Sequence, residues 1–328
     1  MKEKFRNKVI AVFGASLDEH GFYMDDMRRF IAKQDEKCYV VNRSIGGNYA
    51  RLACNMVKDE VDTINPDVVF IHFGGNDVGV YNYNANLPET EELLEVRRTR
   101  LEEYFKYMRE LIKILKGKGY DVHVMTPFAV NEKIVEKEDI EIVKDNVDKA
   151  KNLKSDFFCK ASLTNLNNLW GKKVVPELKK IVAEEGVGML NTFEATYEAM
   201  NNSNGEMFTE DGTHYSKRGH EVVAKIFLDY LGYDNIPDSF DIKNDTCSVI
   251  NQLEQLERHI QFFRRWIFYP PEHQPFADVN TEEDVKRKIK ELVQDDNYSF
   301  LAFAEVANCF YDDFNLLREK SFELIKRL

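Results

Sequence analysis

The chain lacks several features, and each lack narrows its chemistry. Its five cysteines, Cys38, Cys54, Cys159, Cys247 and Cys309, are odd in number, scattered and without a CxxC pair. Neither a disulfide framework nor a zinc knuckle is indicated, and reduced thiols in the cytoplasm are the expectation. Positive charge is short as well. The 45 Lys and Arg against 57 Asp and Glu leave a formal net charge of −12, so no basic field exists to hold phosphate backbones or anionic headgroups. Nucleic acid and membrane surfaces are therefore not expected partners. No apolar run approaches the ~20 residues of a membrane span. The basic stretch Lys2–Lys8 ahead of the apolar Val9–Leu17 imitates a secretory signal, but that run is short, has no small-x-small cleavage site and meets Asp18-Glu19-His20 at once. It reads instead as a buried first strand and its turn. Also missing are GxGxxG spacing, a GxxxxGKS/T loop and HExxH, which leaves no signature of a dinucleotide, P-loop nucleotide or zincin-type metal site.

What is present is an ordinary globular profile. The 328 residues are 43% apolar, 31% charged and 12% aromatic, enough to bury a full core in one large domain with an appendage or in two modest domains. Short β-branched runs alternate with helical patterns, the mark of parallel strands joined by helical crossovers. Strands are expected at Val9–Phe13, Cys38–Asn42, Asp67–Phe73, Asp121–Thr126 and Gly188–Asn191. Several are apolar almost throughout, as strands are when helices cover both faces of their sheet. Helices are expected at Phe22–Lys33, Tyr49–Ile64, Pro88–Leu115 and Lys217–Leu231, the last capped by Ser216. Asn131–Glu185 is longer and more polar than a simple crossover needs, and is a candidate lid or rim over the carboxyl edge of the sheet. Gly, Pro, Asp, Asn and Ser crowd Gly232–Thr246 and mark a boundary. This gives a sheet domain over residues 1–235 and an α-helical C-terminal extension over 236–328. That extension is a candidate to pack on the sheet domain or to mediate a homodimer.

Four separated segments carry chemistry. Strand one runs into Gly14-Ala15-Ser16, which sets a serine hydroxyl at a sharp bend with small neighbours. Strand two ends in Asn42-Arg43-Ser44-Ile45-Gly46-Gly47-Asn48, where consecutive glycines allow a close approach and an exposed N–H. Strand three ends in Gly74-Gly75-Asn76-Asp77, where the Asn76 amide is a neutral donor. Asp211-Gly212-Thr213-His214 precedes the last helix, and its spacing lets one carboxylate reach the imidazole of the same segment and fix its tautomer. Taken singly, each is turn or cap chemistry. His72 and His123 lie within apolar strands and read as satisfied core histidines.

Together, in the order serine, glycine, asparagine, Asp-x-x-His, these segments resemble the four signature blocks of the SGNH or GDSL hydrolase superfamily, from about Val9 to Tyr230. The resemblance implies a three-layer α/β/α sandwich with a mostly parallel five-stranded, flavodoxin-like sheet, and a serine esterase that works through an acyl-enzyme. It implies Ser16 as nucleophile, His214 as general base and Asp211 as the residue orienting His214. The Ser16 N–H, the Gly47 N–H and the Asn76 side-chain amide would form the oxyanion hole. Gly47 is preferred to Gly46 because the family's second-block glycine falls five residues after an asparagine such as Asn42. No metal or cofactor is called for. Two positions depart from the pattern: Ala15 stands where the family often has aspartate, and Asn191 where many relatives carry one. His20, Asn48 and Tyr81 follow signature blocks and are candidate substrate contacts. Small acyl esters, especially O-acetyl groups of a carbohydrate, are the preferred substrate expectation, because the family contains many such deacetylases and no apolar trough for a long acyl chain is evident. Acyl transfer, thioester hydrolysis and lysophospholipid hydrolysis would use the same residues, and a non-catalytic carbohydrate-binding module is the non-enzymatic alternative.

Overall fold

Five short runs with scarcely a polar side chain, Val9–Phe13 (β1), Tyr39–Asn42 (β2), Val68–Ile71 (β3), Asp121–Met125 (β4) and Gly188–Leu190 (β5), pair in parallel as one sheet in the order β2-β1-β3-β4-β5. The computed structural model describes residues 2–19, 21–34, 38–79, 101–132, 166–203, 206–208 and 212–240. The expected helix from Pro88 is described from Leu101 onward, and the expected helices after residue 240 lie outside the described residues.

Both faces of the sheet are apolar because successive side chains on a strand alternate in direction and each face is covered. Ile10, Val12, Val40, Val68 and Phe70 join a core with Tyr23, Met24 and Met27 of helix α2 (Phe22–Lys33) and Val223, Ala224 and Phe227 of helix α8 (Lys217–Leu231). Phe13, Val69, Ile71, Val122 and Val124 face the other way. They meet α3 (Ala50–Val57), α4 (Leu101–Gly117) and α6 (Val175–Glu185) through Ala53, Met108, Leu111, Leu178 and Ile181. Each large side chain so buried contributes about 1.5–3 kcal/mol. The remaining helices are α1 (Ser16–Glu19), α5 (Leu166–Leu169) and α7 (Thr192–Asn202). Among the described residues no helix is long and apolar enough to cross a membrane.

Several elements differ from the sequence expectation, apart from strand ends shifted by one or two residues. The helix expected at Tyr49–Ile64 starts at Ala50 and passes into a π-helical turn at Lys58–Asp62. Of the Asn131–Glu185 insertion, residues 166–185 are no lid. They are the crossover between β4 and β5, and Trp170, Val174, Leu178 and Ile181 are buried in the core; residues 133–165 lie outside the described set. Finally, α7 forms where no helix was expected, begun by Asn191, whose side chain accepts from the Glu194 N–H.

After α8 the chain reverses at Gly232, a left-handed residue at φ 81°. It then runs back along the helix, where Arg218 donates to the Asp238 carbonyl at 2.6 Å, Lys225 pairs with the Asp238 carboxylate, and Phe240 is buried in the core. At the other end of α8 the N-terminal segment is pinned by the Lys2 N–H donating to the Leu231 carbonyl at 2.7 Å.

β2 and β3 lie on opposite sides of β1. That reversal of strand order opens a crevice beyond the carboxyl ends of the strands, the place where open α/β sheets bind their ligands.

Candidate active site

The first loop is shaped by a carboxylate beneath it. Beyond Phe13 the chain turns through Gly14 and Ala15 into the four-residue α1, so that Ser16 is its first residue. The Ala15 carbonyl accepts from the N–H groups of Asp18 and Glu19. The Asp18 side chain reaches back to the Ala15 N–H at 3.3 Å, one half of the reciprocal arrangement found in capping boxes. Asp18 is fully buried. Its other donors are the Tyr23 hydroxyl at 2.9 Å and His72 Nδ1 at 2.8 Å. A Cβ at position 14 would fall 2.1 Å from the Asp18 carboxylate, so only glycine fits there. Burial first, and the neighbouring Asp18 charge second, hold the Tyr23 phenol well above its ordinary range, which keeps it a proton donor to that carboxylate.

The second loop is bound to the first. Asn42 donates through Nδ2 to the carbonyls of Asp18 and Glu19, at 3.0 and 3.1 Å, and accepts from the Ser44 N–H. The Ile45 N–H donates to the Gly14 carbonyl at 3.1 Å. Gly47 adopts φ 74°, a left-handed conformation that glycine takes without a steric cost.

The third loop is bound to the second. Asn76 Nδ2 donates to the Asn48 carbonyl at 2.9 Å, and Asp77 accepts from the Ala50 N–H at 3.0 Å. Gly74, at φ 134°, is where this loop leaves β3 beneath Tyr104, whose hydroxyl donates to the Phe73 carbonyl. Asn48 is 1% exposed. Its side-chain oxygen accepts from the Tyr49 N–H, and its Nδ2 has no hydrogen-bond partner among the described residues.

The fourth loop is clamped from two sides. Phe208 and Tyr215 form an antiparallel bridge, the Ser216 N–H donates to the Met207 carbonyl, and the Asn131 N–H donates to the Gly212 carbonyl. Tyr215 donates to the Ala129 carbonyl and stacks on Phe128, with centroids 5.3 Å apart, and Phe128 lies 4.3 Å from the His72 ring. Ser216 caps α8 by accepting from the Gly219 N–H. The result is that His214 Nε2 stands 3.1 Å from Ser16 Oγ. With its own hydrogen on Nδ1, the imidazole can accept the serine proton.

The structure thus brings Ser16, Gly47, Asn48, Asn76 and His214 onto neighbouring loops at one sheet edge, while Asp211, His20 and Tyr81 lie outside the described residues. His123 is buried away from these loops, with Nδ1 at 2.7 Å from the Tyr230 hydroxyl, and burial lowers its proton affinity. His72 is buried too, but directly behind the elbow. Asp18 is the residue that sequence reasoning passed over. Its one local signal is an acidic side chain three positions after Ala15; its partner His72 is distant in sequence. Among the described residues no cluster of three or more His, Cys, Asp or Glu side chains could hold a metal. A groove of about 1100 Å³ lined by Leu101, Phe105, Arg109, Ile114 and Glu177 lies on the flank of α4 and α6 and shares no residue with the four loops.

No curated protein matches the chain by sequence. Solved structures with a similar chain trace include an acetylxylan esterase from Geobacillus stearothermophilus, 21% identical with a TM-score of 0.49, the match covering 70% of this chain and 96% of that one. Another is a lipase/acylhydrolase from Enterococcus faecalis, 17% identical with a TM-score of 0.45, covering 68% and 95% respectively. The model of the GDSL-like lipase/acylhydrolase family matches residues 12–222, which is more than half of the chain and takes in all four loops, and the chain belongs to that family of ester hydrolases.

Proposed function

We propose that the protein hydrolyses small acyl esters through Ser16, and that its substrates are O-acetyl groups on a carbohydrate. The observation that carries the catalytic part is the 3.1 Å approach of His214 Nε2 to Ser16 Oγ. Ser16 attacks the ester carbonyl; its oxygen bonds to the carbonyl carbon as its proton passes to His214 Nε2. The tetrahedral intermediate then collapses, the bond to the leaving alcohol breaks, and His214 returns the proton to that alcohol. Water, deprotonated by the same imidazole, then attacks the acyl carbon; the bond to Ser16 Oγ breaks, His214 returns the proton to that oxygen, and the acid leaves with Ser16 restored. Asp211 is assigned to hold the tautomer of His214 and to stabilise the imidazolium.

Negative charge develops on the carbonyl oxygen, and preorganised donors there are worth about 10²–10³ in rate for each one lost. The Ser16 N–H, the Gly47 N–H and the second hydrogen of the Asn76 amide are the assigned donors. Asn48 through Nδ2, His20 and Tyr81 are assigned to the substrate. The choice of a sugar ester is supported by the Nδ2 of Asn48, a donor unsatisfied among the described residues, which suits an alcohol moiety rich in hydrogen-bonding groups.

The test is covalent labelling by a fluorophosphonate, alongside turnover of acetyl, butyryl and octanoyl esters and of acetylated sugars. Labelling that disappears in Ser16→Ala, with turnover highest on acetyl esters, is the expected result. A protein that binds sugar but is neither labelled nor active would overturn the catalytic reading, and preference for the octanoyl ester would overturn the choice of acyl group.

A further inference from the structure

We propose that Asp18, held by His72, is a positioning residue for the nucleophile, an inference that rests on the assignment of Ser16 above. The elbow has no acidic residue at Ala15. A carboxylate nevertheless reaches it from the other end of α1. Asp18 is fully buried and accepts from three donors at once: the Ala15 N–H at 3.3 Å, the Tyr23 hydroxyl at 2.9 Å and His72 Nδ1 at 2.8 Å. Three donors on two oxygens fix the carboxylate against rotation. It packs so closely on Gly14 that no Cβ fits there, and it takes up the N–H just ahead of Ser16. The direction in which the Ser16 side chain and N–H leave the bend is therefore set by a side chain that does not touch the reacting atoms.

His72 links this carboxylate to the base. Its backbone N–H donates to the Phe13 carbonyl, extending the pairing of β1 and β3 to the foot of the elbow, while its ring donates to Asp18. The same ring packs 4.3 Å from Phe128, which stacks at 5.3 Å on Tyr215, the residue next to His214. One contiguous layer, Asp18–His72–Phe128–Tyr215, supports serine and imidazole from behind. A displacement of about 1 Å between reacting groups costs up to about 10²-fold in rate.

Asparagine at position 18 keeps the shape, but its single oxygen must serve both the Ala15 N–H and His72 Nδ1 while its NH2 forces the Tyr23 hydroxyl to turn and accept, so the three bonds lose the charged acceptor that holds them. Asp18→Asn is expected to lower kcat on 4-nitrophenyl acetate, and the rate of fluorophosphonate labelling, by about 10–100-fold. KM should stay within about twofold, since no substrate contact is removed. At His72, Gln retains an N–H donor and Leu does not. His72→Gln should hold kcat within a few-fold of wild type, while His72→Leu loses as much as Asp18→Asn. Folding is checked by circular dichroism, and if Asp18→Asn does not fold the His72 pair decides. Folded Asp18→Asn or His72→Leu with wild-type kcat and labelling rate would overturn the inference. Ser16→Ala run in parallel separates the two assignments. Loss in Ser16→Ala without loss in the other variants removes only the positioning role, and no loss in Ser16→Ala removes the nucleophile itself.

Discussion

Asn76 spends one amide hydrogen on the carbonyl of Asn48, 2.9 Å away, and this bond sets the height of the third loop against the second. A side-chain donor to an oxyanion needs such an anchor, because an amide free to rotate would lose in entropy what it gains in electrostatics. The remaining N–H of Asn76 is left pointing in a direction fixed by the first.

Replacing Asn76 by Ala should therefore lower kcat by about 10²–10³ while the protein stays folded. Asn76→Asp keeps the shape but removes both donors and should be no better than Ala. Turnover at the wild-type level in either variant, measured on an acetyl ester, would take Asn76 out of the oxyanion hole.

A second prediction concerns pH and stability. Asp26 on α2 is buried, neither carboxylate oxygen has a hydrogen-bond partner among the described residues, and burial, then Asp25 and Glu221, push its pKa up to about 7, against Arg29 and Lys217. The folded chain holds this proton more tightly than the unfolded chain does. As pH rises from about 4 to about 7, the unfolded state releases it first and stability falls. For a rise from 3.8 to about 7, at 1.36 kcal/mol per pKa unit, the loss is about 4 kcal/mol. Asp26→Asn should remove that slope, leaving the variant more stable than wild type at pH 8 and close to it at pH 4 to 5. Urea midpoints at the two pH values check it; equal differences at both would refute the assignment.

Arg43 gives a third. It and Glu60 are fully buried, with Arg43 Nε donating to the Glu60 carbonyl at 2.8 Å and Nη2 lying 3.5 Å from the Glu60 carboxylate. Removing one partner strands the other charge, so Arg43→Met should cost about 3–5 kcal/mol, and the double variant Arg43→Met with Glu60→Met should recover most of it. Denaturant midpoints of the two single variants and the double variant form the test. A double variant no more stable than Arg43→Met would mean that the pair itself holds the fold.

Much of this architecture is legible in the sequence, and where it is not the reason is physical. β1 is read to the residue because Val9–Phe13 is apolar on both faces and Gly14 ends it abruptly. β3 is read too long. His72 and Phe73 continue the buried run, yet the ladder with β4 ends at Ile71. The helix at Thr192–Asn202 escapes notice because it is short and weakly amphipathic, with only Thr192, Phe193 and Thr196 buried. Ser16, Asn76 and His214 stand out because their spacing follows the blocks of the family. Asp18 does not, since a buried hydrogen bond with a residue 54 positions away leaves no local pattern.

The hairpin turn of the chain at Gly232 decides where anything beyond the hydrolase core begins. Had the polypeptide simply run on from α8, it would leave beside Lys2, on the side remote from catalysis. Instead the anchoring of Asp238 by Arg218 and Lys225 returns it to the first turn of that helix, just past His214 in sequence. Asp238 is therefore held at the His214 end of α8, whereas Lys2 is held at the opposite end.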